Sequence, residues 1–136
     1  MKRSERVIVP LGRVLLSLIF LASGLGKIAA WDATAGYMAS EGMTLVPLFL
    51  VAAILFEVLG GLSVLLGMKA RVGAAALIVF LIPATLIFHD FWAFEGMERQ
   101  IYMAMFMKNL AIMGGLLLVI AFGAGPLSID NRTQGA

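Results

Sequence analysis

Apolar residues run in four long blocks, roughly 7–30, 44–67, 72–90 and 101–122, separated by short polar breaks. Each block is close to the ~20 residues that a helix needs to cross a hydrocarbon core. Backbone N–H and C=O groups cannot go unpaired in lipid, so blocks of this kind predict helices. The expected fold is an all-α membrane protein, a four-transmembrane-helix bundle forming a single domain over residues 1–136. Pro83 falls inside the third block and predicts a kink there. The stretch 31–43 mixes Trp31, Tyr37 and Met38 with Asp32 and Glu41, which predicts a brief interfacial helix with those apolar side chains dipping toward lipid. The Gly125-Pro126 pair ends the last helix.

Polar positions inside the blocks matter most, because an ionisable side chain in a membrane is costly and faces the bundle interior. Spacings of four and three put residues on one helix face. In the first block this joins Arg13, Ser17, Phe20, Gly24 and Lys27, and in the second Ala53, Glu57, Gly60 and Val64. In the third it joins Ala75, Ile78, Ile82, Thr85 and His89, and in the fourth Ala104, Lys108, Ala111 and Gly115. Small residues mark helix–helix contacts in membranes, so stripes that pair a charge with glycine or alanine predict inward-facing charges. At ~1.5 Å rise per residue Glu57 lies a few Å to one side of the centre and Lys108 about 5 Å to the other. A Glu57–Lys108 contact, direct or through water, is therefore expected, with Arg13 as a competitor for Glu57. Lys27, His89 and Asp90 fall near the outer boundary, where lysine can snorkel. Asp90 is the expected counter-charge of Lys27 or Lys108.

Composition sharpens the class. Apolar residues make up 62% of the chain and charged ones 13%, with a mean hydropathy of +1.03, against about 45–50% and about 25% in soluble domains. Lys2, Arg3, Arg6, Lys69, Arg71 and Arg132 flank one set of block ends, whereas the other loops hold Asp32, Glu41, Asp90, Glu95 and Glu98, with Arg99 as their clear basic residue. The positive-inside rule then predicts cytoplasmic N and C termini, with Trp31, Trp92, Tyr37 and Tyr102 as an outer aromatic belt. A cleaved signal peptide is the competing reading of the start, but Arg13 interrupts its apolar stretch. The net charge of +2 offers no continuous basic face for nucleic acid. The absence of cysteine excludes thiol relays and iron–sulfur ligation within the chain, and the single histidine excludes an intramolecular bis-histidine haem. Met103, Met105 and Met107 alternate around a helix and read as packing residues. No metal site or nucleotide loop is indicated.

Several motifs together resemble the DoxX family: Arg13 with Ser23-Gly24-Leu25-Gly26-Lys27, Tyr37-Met38-Ala39-Ser40-Glu41-Gly42, and Glu57-Val58-Leu59-Gly60-Gly61. Phe88-His89-Asp90-Phe91, Met107-Lys108-Asn109-Leu110 and the closing Gly125-Pro126-Leu127-Ser128-Ile129-Asp130 extend the likeness over nearly the whole chain. The resemblance implies a four-helix bacterial inner-membrane protein associated with redox partners, among them the membrane part of a thiosulfate:quinone oxidoreductase. On that footing Glu57, Lys108 and His89 are the candidate catalytic residues. Lys27, Asp90, Asn109 and Arg13 are candidates to hold a substrate or a quinone, with Arg13 and Lys27 also readable as anchors. No covalent cofactor is expected, and the implied ligand is a quinone. The partners this reading calls for are the lipid bilayer, a redox protein and a homo-oligomer. Two other functions stay open on the residues alone: a non-catalytic membrane anchor or assembly partner, and a small-solute or proton transporter.

Overall fold

The computed structural model describes residues 2–135, and among them there are helices and turns but no strand. Four helices are long and apolar enough to cross a membrane: α1 (Glu5–Ala29), α3 (Val46–Leu66), α4 (Ala70–Phe88) and α5 (Gly96–Phe122). Between the first two lies α2 (Trp31–Ser40), the short helix anticipated for this loop, and a six-residue helix, α6 (Ile129–Gln134), closes the chain. Helix α5 starts five residues before the apolar block, because Met97 to Gln100 continue the helix past the hydrocarbon.

The spans pack in the order α1, α3, α4, α5, and the α1–α5 seam that would close the ring is thin. Outward faces carry large exposed apolar side chains such as Val7, Leu15, Leu48, Leu59, Val79 and Leu118. In water such a surface would be untenable; in a bilayer it is the solvated face. Inside, Phe20, Val64, Leu77, Leu81, Leu116 and Val119 form the apolar core.

Two of the predicted inward stripes hold. Arg13, Ser17, Phe20 and Gly24 are buried on α1, and Ala53, Glu57, Gly60, Gly61 and Val64 on α3. The other two are displaced by one residue. Helix α4 buries Gly73, Ala74, Leu77, Leu81 and Thr85, leaving Ala75 and Ile82 outside. The helix stops at Phe88, and His89 has left it at φ −124°, so a stripe phased through His89 runs out of register. Helix α5 buries Asn109, Leu116 and Val119, so Lys108 lies on the neighbouring, exposed face.

The end of the bundle with both termini is tied together by polar groups. Gly67 closes α3 at φ +64°, and the Met68 N–H returns to the Ser63 carbonyl at 3.0 Å. Any side chain at Gly67 would run into the Arg13 guanidinium and Ser128. The Asp130 carboxylate accepts from the Lys69 N–H at 2.7 Å and the Ala70 N–H at 2.9 Å, capping the first turn of α4 from the C-terminal tail. At the opposite end α2 folds over the bundle. Met38 is buried there instead of dipping into lipid, and the Tyr37 ring packs on Phe88 at 5.5 Å between centroids. Met38 turns inward because α2 lies against α3, which offers apolar surface already inside the protein.

Candidate functional site

The polar centre is built by the tightest helix pair, α1 on α3. Gly24 permits the approach: a Cβ there would stand 2.7 Å from Val58 Cγ2 and 3.2 Å from Glu57 Cβ. Ser23 and Lys27 sit one turn apart on α1, both beside the buried Glu57. Lys27 Nζ donates to Glu57 Oε1 and Oε2, each at 3.0 Å, and to Ser23 Oγ at 2.7 Å; Ser23 Oγ in turn donates to Glu57 Oε1 at 3.2 Å. The carboxylate is thus neutralised by one cation, Lys27, and accepts from one further donor, Ser23. This is the arrangement a charge needs in a low-dielectric interior. It is the ion pair found among the described residues.

A cavity of about 450 Å³ opens beside this pair. Phe20, Phe80, Leu81, Phe88 and Ile112 supply apolar wall, while Lys27, Glu57, His89, Lys108 and Asn109 bring polar groups to it. Asn109 Nδ2 donates to Thr85 Oγ1 at 2.9 Å, fixing the amide that joins α4 to α5. His89 Nδ1 is buried with no hydrogen-bond partner among the described residues. Thr34, Tyr37 and Met38 of α2 cover the cavity at the end away from the chain termini. The Tyr37 hydroxyl is pushed up to about 12, chiefly by burial and then by the Tyr102 hydroxyl beside it, so at neutral pH it remains a donor.

Comparison with known proteins fits this geometry. The DoxX family profile matches residues 8–90, which hold Arg13, Ser23, Lys27 and Glu57. The chain belongs to the DoxX family. Relatives span the whole chain: inner membrane protein YqjF of Escherichia coli is 39% identical over 96% of this chain and 95% of its own length. Inner membrane protein YphA of the same organism is 32% identical, covering 93% and 90%. The ER-derived vesicles protein ERV29 of Saccharomyces cerevisiae is 28% identical over 76% of this chain, which corresponds to 36% of the yeast protein. No solved structure matches the chain. This DoxX protein is therefore a multi-pass bacterial inner-membrane protein.

Five of the seven residues singled out from the sequence, namely Glu57, Lys108, His89, Lys27 and Asn109, line the one cavity. Their pairing differs from expectation. Glu57 meets Lys27 of α1, not Lys108, because α1 packs directly on α3 whereas α3 and α5 are not packed neighbours. Lys108 stands on the far wall without an ion-pair partner among the described residues. Asp90 is not the counter-charge of either lysine. It opens the 3-10 turn Phe91–Ala93, and its carbonyl accepts from the Ala93 N–H at 2.9 Å.

Arg13 does not compete for Glu57. Its Nη2 donates to the Leu127 carbonyl at 2.8 Å and to the Pro126 carbonyl at 3.3 Å, at the terminal end of the bundle. Two contributors escaped the sequence reading as site residues. Ser23 carried a legible signal, a hydroxyl four residues before a lysine on an inward stripe, whereas the Asp130 cap connects residues sixty apart and has no local signature.

Proposed function

We propose that this DoxX protein is a redox-associated membrane subunit whose α2-covered cavity binds the head group of a quinone. The observation that supports it is the gathering of Lys27, Glu57, His89, Lys108 and Asn109 on one apolar-walled hollow. The residues suit such a group: aromatic and aliphatic walls accept a flat ring, and Lys108 and the Tyr37 hydroxyl offer donors to carbonyl oxygens. When bound, a quinone supplies two-electron, two-proton redox chemistry.

Within the chain, Lys108 binds and orients through its ammonium. Lys27 and Ser23 hold the Glu57 carboxylate in place on the wall, and that carboxylate can pass a proton along the Ser23 hydroxyl. His89, with Nδ1 free to accept, sits where protons exchange with the α2 end, and Tyr37 and Met38 limit water there. With no cysteine in the chain, electrons come from a partner protein or directly from a reduced substrate. The basic residues at the terminal end orient that end to the cytoplasm, leaving the cavity nearer the periplasmic face.

Gentle purification followed by organic extraction and mass spectrometry tests the reading. Quinone at near-stoichiometric occupancy, lost in Lys108→Met with the fold intact, is expected. Absence of quinone with a protein partner retained would replace this reading by the anchor function.

A further inference from the structure

A second hollow, of about 770 Å³, runs along the thin seam between α1 and α5. Ile19, Lys108 and Ile112 line both this hollow and the polar cavity, so the two adjoin across that layer of side chains at the level of the lysine. From Lys108 it continues to Phe122 and Gly123, about 21 Å along α5 at a rise of ~1.5 Å per residue. Apart from Lys108 at one end and Arg13 at the other, its lining is uncharged. Arg13 is only 4% exposed, and its Nε and Nη1 have no hydrogen-bond partner among the described residues.

Small residues along a membrane helix normally let the partner helix come close. Here Gly12, Ala111 and Gly115 line the seam, yet α1 closes on it only where Leu16 reaches Gly115, whose Cβ would stand 3.3 Å from Leu16 Cδ1. A Cβ at Gly12 would meet nothing within 4 Å. The open room therefore lies where close packing was available and not taken. The polar cavity is covered by α2 on its outer side, whereas this seam faces the bilayer.

We infer that the α1–α5 seam holds the hydrocarbon tail of the ligand whose head group occupies the polar cavity, so that the ligand is a long-tailed amphiphile drawn from the membrane and not a soluble molecule. The inference rests on the cavity reading above and adds the ligand's tail and its route. Lipid chains are as apolar as the seam, so the tail gains position more than affinity. Location is accordingly the decisive readout.

The experiment uses the full chain in nanodiscs and a methoxy-substituted benzoquinone whose decyl tail ends in a diazirine. After photolysis, adducts are expected on α1 and α5 at seam residues such as Val9, Leu16, Leu118 and Phe122. An excess of the tail-less ring is expected to suppress them at least fivefold, since the ring displaces the head group. Gly12→Phe, which fills the seam, should reduce labelling at least fivefold; Ala111→Phe does the same from α5 should the first variant fail to fold. Gly114→Phe on the lipid-facing side of α5, where a Cβ also has open space, should leave labelling unchanged. Ring-suppressible adducts on outer faces such as Leu55 or Leu59 would overturn the seam and spare the cavity. Seam adducts indifferent to the ring would mean that any lipid chain fills it, and would also overturn the inference. No ring-suppressible adducts anywhere sinks both readings.

Discussion

Replacing Lys27 by methionine keeps an unbranched side chain one atom shorter and deletes its charge, leaving the Glu57 carboxylate 4% exposed with Ser23 as its remaining donor. Removing one partner of a buried pair costs about 3–5 kcal/mol, because the other charge stays desolvated. A stranded carboxyl can instead take a proton from solvent. For an ordinary glutamate near 4.3, that costs about 1.4 kcal/mol per pH unit above this value, or about 3.7 kcal/mol at pH 7 and about 1 kcal/mol at pH 5. The smaller cost sets the outcome. Lys27→Met is therefore expected to lose about 3–4 kcal/mol at pH 7 and about 1 kcal/mol at pH 5.

The sign follows from linkage: the variant's folded state binds the extra proton, so its deficit is least in acid and grows as pH rises. Glu57→Gln should cost less, about 1 kcal/mol, because Lys27 is partly exposed (24%) and can extend its ammonium toward the interface. The double variant should recover most of the Lys27→Met loss at pH 7, which makes the coupling readable as a double-mutant cycle. Unfolding in mixed micelles, followed by tryptophan fluorescence and circular dichroism at both pH values, measures it. Equal losses at pH 5 and pH 7, or a double variant no better than Lys27→Met, would refute the reasoning.

Other outcomes follow from the same geometry. Asp130→Ala removes both acceptors from the first turn of α4 and should destabilise by about 1–2 kcal/mol, with the C-terminal tail cut sooner in limited proteolysis. Gly24→Ala puts a Cβ against Val58 and should cost about 1–2 kcal/mol by thermal unfolding, whereas Gly114→Ala, with open space, should be neutral or gain up to about 1 kcal/mol of helix propensity. A tyrosinate absorbance phase at about 12 should vanish in Tyr37→Phe. Because folding favours the neutral phenol, the Tyr37 contribution to stability is complete below pH ~10 and is lost as pH rises from there through about 12. Single cysteines at Ser4 and Glu95 in this cysteine-free chain should separate under an impermeant maleimide, with Glu95→Cys labelled in intact cells and Ser4→Cys protected.

Hydropathy along the chain determined the four spanning helices and the membrane setting, because the bilayer forces long apolar blocks into one backbone solution. Inward stripes were legible for α1 and α3, where glycine and charge recur at helical spacing without a break. They slipped by one position on α4 and α5, since His89 lies past the helix end and the buried polar residue of α5 is the amide Asn109, not the neighbouring lysine. Which cation neutralises Glu57 was decided by helix order: α1 is the packed neighbour of α3, so Lys27 reaches the carboxylate and Lys108 is left on the opposite wall. Tertiary structure likewise decided that Arg13 and Asp130 bind the chain's own tail and first α4 turn. Periodicity reports which side of a helix turns inward; it carries no record of which neighbour stands there.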